Sequence, residues 1–392
     1  MTITTARMLD DDRLRPAAER LRPDLDPAEV VARAAWSVLA EPGDGAAGAL
    51  IADHGVHEAL RIALGEPGLL VPGRTGQREL TDAQARWQPR ADPRAVRDAL
   101  ESCREVGGRL LTPADAAWPA GLDDLGDHAP IALWARGDIE ALVGAGAVSI
   151  VGARAATPYG ESVAGELAGD LAASGVTVIS GGAYGIDGAA HRAALGVGGM
   201  TVAFLAGGVD RAYPIGHQQL FDRIRRGGAV LSEVPCGAAP TKWRFLQRNR
   251  LIAAAGLATV VVEAGWRSGS LNTAGHAAAL GRPLGAVPGP VTSAASAGCH
   301  RLLREYDAVC VTTAQEVREL WGEDAAPAPA TAREDPDRMR LLDALSARTP
   351  RPPEDLAPRC GLTIERVRSL LGILELEGTA KRGDRGWTQA SG

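Results

Sequence analysis

Apolar residues recur at helical spacing through PAEVVARAAWSVLA and HEALRIALG, with the turn-like EPGDGAAG between them, and again through DAQARWQPRADPRAVRDALESCREVG. This spacing predicts a small N-terminal helical domain over residues 1–108. From about residue 110 the period shortens to β-branched runs (AVSIV, VTVIS, TVAFLA, GAVLSEV, ATVVVEA, PLGAVPG and AVCVT) separated by Gly/Ala-rich helical stretches. Such runs, apolar throughout, are strands buried on both faces, and helices between them imply parallel pairing through right-handed crossovers. The expected fold class is α/β, an extended Rossmann-like, doubly wound, mostly parallel sheet over residues 109–320. A Pro- and Ala-rich stretch, GEDAAPAPATAREDP, marks a linker over residues 321–335. Three further helical segments and a short basic hairpin, TAKRGDRGWTQ, predict a winged helix over residues 336–392.

Charge narrows what this sheet can hold. The formal net charge is -6, so any polyanion site must be a local basic patch and not the field of the whole molecule. Cys103, Cys236, Cys299, Cys310 and Cys360 show no CxxC spacing, which argues against a disulfide framework and a zinc site; no metal and no cofactor is expected. The start MTITTARMLDDDRLRP lacks a secretory pattern, and no uninterrupted apolar run approaches about 20 residues. The reading is a cytoplasmic chain with no membrane partner.

In a doubly wound sheet, ligands bind beyond the carboxyl ends of the strands. The first parallel run ends in Gly152-Ala153-Arg154: the glycine permits a tight turn, the helix starting near Pro158 offers free N–H groups to an anion, and Arg154 can grip a phosphate. The second runs into Ser180-Gly181-Gly182-Ala183-Tyr184-Gly185-Ile186-Asp187, a second candidate phosphate loop with Asp187 placed to cap the next helix. Neither loop is a GxGxxG or Walker motif, and each alone is as consistent with a tight structural turn. The segment from Thr241 to Arg250 carries Lys242, Arg244, Arg248 and Arg250 with Trp243 and Phe245 and no acid, cations for phosphates beside rings for bases. The competing reading makes the rings core anchors and the arginines a solvated face. Asn249 sits in this run; Arg267, Ser268 and Ser270 follow the fifth parallel run at a helix start, where either serine also serves as a cap.

Taken in order, Gly152-Ala153-Arg154, Ser180 through Asp187, Arg248-Asn249-Arg250-Leu251-Ile252, Glu263 through Leu271, Val287-Pro288-Gly289 and Gly298-Cys299-His300-Arg301-Leu302-Leu303 resemble the successive motifs of the DNA-processing protein A (DprA/Smf) family. The resemblance implies a protein that binds single-stranded DNA and loads the RecA recombinase in natural transformation or recombination. It also implies a homodimer through the Rossmann-like core, and no established catalytic residue. The family's helical (SAM-like) N-terminal domain and its winged helix are similar to the two flanks. This chain departs from the family in carrying Tyr184 where an arginine is common and Ala153 where a serine is common.

Two other functions remain open. A nucleotide-processing enzyme of a related fold would use Asp187 and Glu263 as acid and base. A duplex-DNA regulator would read through TIERVRSLLGILELEG and its wing, although Glu365 and Glu375 beside Arg366 and Arg368 make that helix mixed in charge.

Overall fold

The computed structural model describes residues 13–66, 73–74, 76–142, 146–323, 336–347, 349–376, 378–383 and 385–390. The first twelve residues and most of the expected linker, residues 324–335, lie outside them. The chain divides into two compact units, Met1–Asp324 and Ala325–Gly392.

The first unit opens with five helices, α1 (Leu14–Leu21), α2 (Pro27–Leu39), α3 (Gly45–Ala63), α4 (Gln77–Trp87) and α5 (Pro93–Glu105). Asp26, Asp44 and Asp92 cap α2, α3 and α5, accepting first-turn N–H groups that would otherwise be orphaned. Trp36 meets Trp87 edge to face, centroids 5.2 Å apart. Their hydrophobic core is not closed on itself: Trp36, Leu60 and Leu100 share one cluster with Leu110, Trp134, Ala203, Leu205 and Val230 of the sheet that follows. A buried ion pair, Arg22 to Asp115 at 2.7 Å, adds a polar tie.

That sheet has nine strands: β1 (Gly108–Leu111), β2 (Leu133–Gly137), β3 (Ala147–Val151), β4 (Thr177–Ser180), β5 (Thr201–Leu205), β6 (Gly228–Ser232), β7 (Ala258–Val261), β8 (Leu284–Ala286) and β9 (Val309–Cys310). Their order is β1-β2-β6-β5-β4-β3-β7-β8-β9. Strands β3 to β9 are the seven apolar runs read from the sequence, and all pair in parallel. Strands β1 and β2 add an antiparallel edge that the apolar pattern did not announce. Alternate strand residues serve opposite faces. Val148, Ile150 and Val178 pack under α6 (Pro158–Ala173) and α7 (Ile186–Gly196). Val151, Ile179, Val202 and Phe204 pack under α9 (Lys242–Ala255), α10 (Ser270–Ala279) and α11 (Ala297–Glu305). Helices α8 (Gln218–Ile224) and α12 (Ala314–Glu319) complete the unit.

The second unit holds α13 (Pro336–Ala344), α14 (Pro353–Cys360), α15 (Ile364–Leu376) and the antiparallel hairpin β10 (Ala380–Gly383) and β11 (Gly386–Gln389), the winged-helix order expected. Leu341, Leu356, Val367, Leu371, Leu374 and Trp387 form its core. Among the described residues, no helix is long and apolar enough to cross a membrane.

Candidate nucleic-acid interface

The chain leaves β3 to build β4, β5 and β6 on one side, then returns to place β7 against the other side of β3. That reversal is a topological switch point, where adjoining connections leave the sheet in opposite directions and open a crevice. Val151 and Val261 are register partners at the ends of β3 and β7, so Gly152–Arg154 and Gly265–Ser270 begin side by side. Together with the first turns of α9 they line a crevice of about 720 Å³.

Three exposed cations, Arg154, Lys242 and Arg267, line this crevice without an ion pair among the described residues. Arg154 stands 5.0 Å over the Phe245 ring, and Tyr213 tilts against the same ring, centroids 5.4 Å apart. Asn249 donates to Asn272 at 3.1 Å on the same wall. Ser268 and Ser270 share a 2.7 Å hydroxyl contact, and Ser268 Oγ also accepts Ser270 N–H at the start of α10. The site thus offers separated positive charges, an aromatic face and hydroxyls.

The run from Lys242 to Arg250 does not form one patch, because it is a helix. Lys242, Phe245 and Asn249, spaced i, i+3 and i+7, face the crevice. Arg244 and Arg250 lie outside it. Arg244 pairs with Glu41 at 2.9 Å, and Arg250, 3% exposed, pairs with Glu233 at 2.7 Å. Arg248 borders the crevice but is only 5% exposed, and its Nη1 donates to the carbonyls of Gly181 (2.7 Å) and Phe204 (2.6 Å). Burial brings its pKa down to about 10 although Asp187 opposes the shift, so it remains cationic at neutral pH.

The glycine loops are also occupied by the chain's own groups. Asp187 does not cap α7; its carboxylate accepts Gly181 N–H at 3.1 Å and Ala183 N–H at 3.3 Å, using amides the sequence reading offered to a ligand. Burial raises the Asp187 pKa. Ser180 is fully buried and donates to Ile150 O. Gly182 takes a φ of +67° against the Phe221 ring, a place only glycine fills without strain. Tyr184, half exposed, leans edge-on against His217 at 4.6 Å and does not line the crevice. At the first loop, Glu263 holds the cap of α6: its carboxylate accepts Thr157 N–H (2.9 Å) and hydroxyl (2.5 Å), and Thr157 Oγ1 accepts Gly160 N–H. Gly152 lines the crevice, and a Cβ there would collide with Ile186. Tyr213, absent from the sequence reading, arrives from the loop after β5, and no local pattern marks it; Phe245 is marked by its i+3 spacing from Lys242.

Fold and crevice define a Rossmann-like protein with a cation-lined cleft at its switch point, joined to a winged helix. A family model described as DNA recombination-mediator protein A matches residues 109–322, and one described as the DprA winged helix domain matches residues 325–384. A Mycobacterium tuberculosis chain carrying the DNA processing protein DprA name is 44% identical over 375 residues, 90% of this chain and 93% of its own length. Protein Smf of Escherichia coli is 37% identical over 282 residues, 68% of this chain and 74% of its own. The X-ray structure of DprA from Streptococcus pneumoniae superposes with a TM-score of 0.56 at 28% identity, covering 74% of this chain and 96% of that one. A structure describing the single-stranded DNA binding mode of DNA processing protein A from Helicobacter pylori superposes at 0.50 and 30% identity, covering 54% and 94%. The chain belongs to the DprA/Smf family of DNA processing proteins.

Proposed function

We propose that the switch-point crevice binds single-stranded DNA through its backbone, with little sequence preference and without turnover. The observation that carries this reading is the set Arg154, Lys242 and Arg267, three exposed cations without carboxylate partners among the described residues, lining one crevice with the Phe245 and Tyr213 rings. Separated cations track phosphates, and a ring accepts any base because every base has a stacking face. Gly152, Asn249, Ser268 and Ser270 supply close approach and neutral hydrogen bonds; Arg248 and the Ser180–Gly182 turn hold the wall behind them. Tyr184 stands beside the crevice on His217, where it can meet a strand only at the margin.

Family membership supports the wider role: delivery of the strand to RecA in transformation or recombination, in the cytoplasm, by a homodimer formed through the sheet domain. The nucleotide-processing alternative is weaker, since Asp187 and Glu263 are both buried and hydrogen-bonded to the chain itself. The winged helix is an accessory, because Arg366 and Arg368 on its third helix, α15, are paired with Asp337 and Glu354.

The test compares oligothymidine and duplex binding by the wild type and a Lys242→Glu, Arg267→Glu variant. Preference for the single strand in the wild type, and its loss by more than about tenfold in the variant, is expected. Equal affinities of both proteins for the single strand would remove the crevice from the account.

A further inference from the structure

Rossmann-like folds usually leave the helix following their first parallel strand open to a ligand's phosphate. Here the cap of the corresponding helix, α6, is held by an acid of the chain. Glu263 is 2% exposed, and its carboxylate takes both the N–H and the hydroxyl of Thr157, the α6 cap. The fit is close: a Cβ on Gly160 would fall 2.3 Å from the Glu263 carboxyl carbon, so the first turn of α6 has room only for glycine there. The same residue's carbonyl accepts Ala153 N–H at 2.7 Å. Glu263 therefore grips the 153–157 segment at both ends, and Arg154 rides on the arch between. The carbonyl of Ala153 in turn accepts Ile186 N–H, which ties the arch to the second loop.

Glu263 also begins the connection that carries Gly265, Arg267 and Ser268 into the crevice. One residue thus sets Arg154, from the β3 side, in register with Arg267, from the β7 side. We propose that Glu263 is a positioning residue for strand binding: an internal anion that stands where a nucleotide phosphate would sit and, in doing so, aims Arg154 across the switch point. The inference rests on the crevice being the single-strand site. It assigns the α6 N-terminus to the scaffold, so that phosphates are met by side chains at the crevice and not by the helix end.

A double-mutant cycle tests it on the full chain, read as single-strand affinity, with thermal melting as the check on folding. Glu263→Gln removes the charge at nearly constant shape, and Thr157→Val removes one of the bonds it accepts if the first variant does not fold. Either substitution is expected to weaken oligothymidine binding about three- to tenfold, the size of one misplaced phosphate contact. Combined with Arg154→Ala it should add almost nothing, whereas combined with Lys242→Ala the two losses should multiply. Unchanged binding in both variants, or equal multiplication with both partners, overturns the positioning role. If Arg154→Ala and Lys242→Ala alone leave affinity unchanged, the crevice reading itself fails, an outcome distinct from loss of the Glu263 coupling alone.

Discussion

The two faces of α9 carry the same chemistry to opposite ends. On the crevice face, Lys242 has no ion pair among the described residues, and Phe245 and Asn249 complete a surface of charge, ring and amide. Off that face, Arg244 and Arg250, roughly 120° apart around the helix, are spent on Glu41 and Glu233, acids from the N-terminal helical region and from the end of β6. A cation is available to a polyanion only when the fold leaves it without a partner, and one helical turn decides which arginine that is. The acids that silence Arg244 and Arg250 lie 203 and 17 residues away, outside the run itself, so a count of its positive residues overstates the patch.

The largest effect that could break this contrast is on stability. Arg250→Ala leaves the part-buried Glu233 without its cation and is expected to cost about 3 kcal/mol in denaturant unfolding of the first unit. A loss in strand affinity at unchanged stability would instead place Arg250 on the crevice face. Next in size, His191 lies fully buried behind the second loop, with Nδ1 2.7 Å from Thr201 Oγ1, and burial lowers its pKa to about 3. Because the folded pKa lies below the unfolded value, the unfolded chain binds the extra proton, and stability falls as pH drops from about 6.5 toward 3. The slope from this group approaches about 1.4 kcal/mol per pH unit, and His191→Gln should flatten it in acid-unfolding curves. Arg267→Ala is expected to leave stability within about 0.5 kcal/mol and to weaken oligothymidine binding about tenfold in fluorescence anisotropy. The smallest effect belongs to Arg244→Ala, whose pair with Glu41 is only partly buried: under about 1 kcal/mol in melting, and no change in strand affinity.

The parallel strands were legible because strands covered on both faces read as unbroken apolar runs, and β3 to β9 do so. Strands β1 and β2 were not: GRLL and LWARG are short, mix charge with apolar residues, and pair across a 3-10 segment that hides their hairpin-like relation. Strand order was also beyond reach, since only the return from β6 to β7 creates the switch point. Within the site, glycine turns and clustered cations were visible as types, but their partners were not. Glu263 reaches Thr157, 106 residues away, only through the fold, and Asp187 reaches back six residues to Gly181, turning expected ligand-binding amides into internal hydrogen bonds. The helical spacing of Lys242, Phe245 and Asn249 was present in the sequence and gathers them on one face, but Arg250, eight residues after Lys242, is set apart by its pairing with Glu233 and not by spacing.

The most direct test of this contrast is the salt dependence of oligothymidine binding for three proteins: the wild type, Arg154→Ala/Lys242→Ala/Arg267→Ala, and Arg244→Ala. Each lost single-strand phosphate contact lowers the slope of log Kobs against log salt by about 0.7. The triple variant should therefore lose about 2 in slope while Arg244→Ala keeps the wild-type value. Equal slopes for the triple variant and the wild type, or a reduced slope for Arg244→Ala, would contradict the division of α9 and the placement of the strand in the crevice.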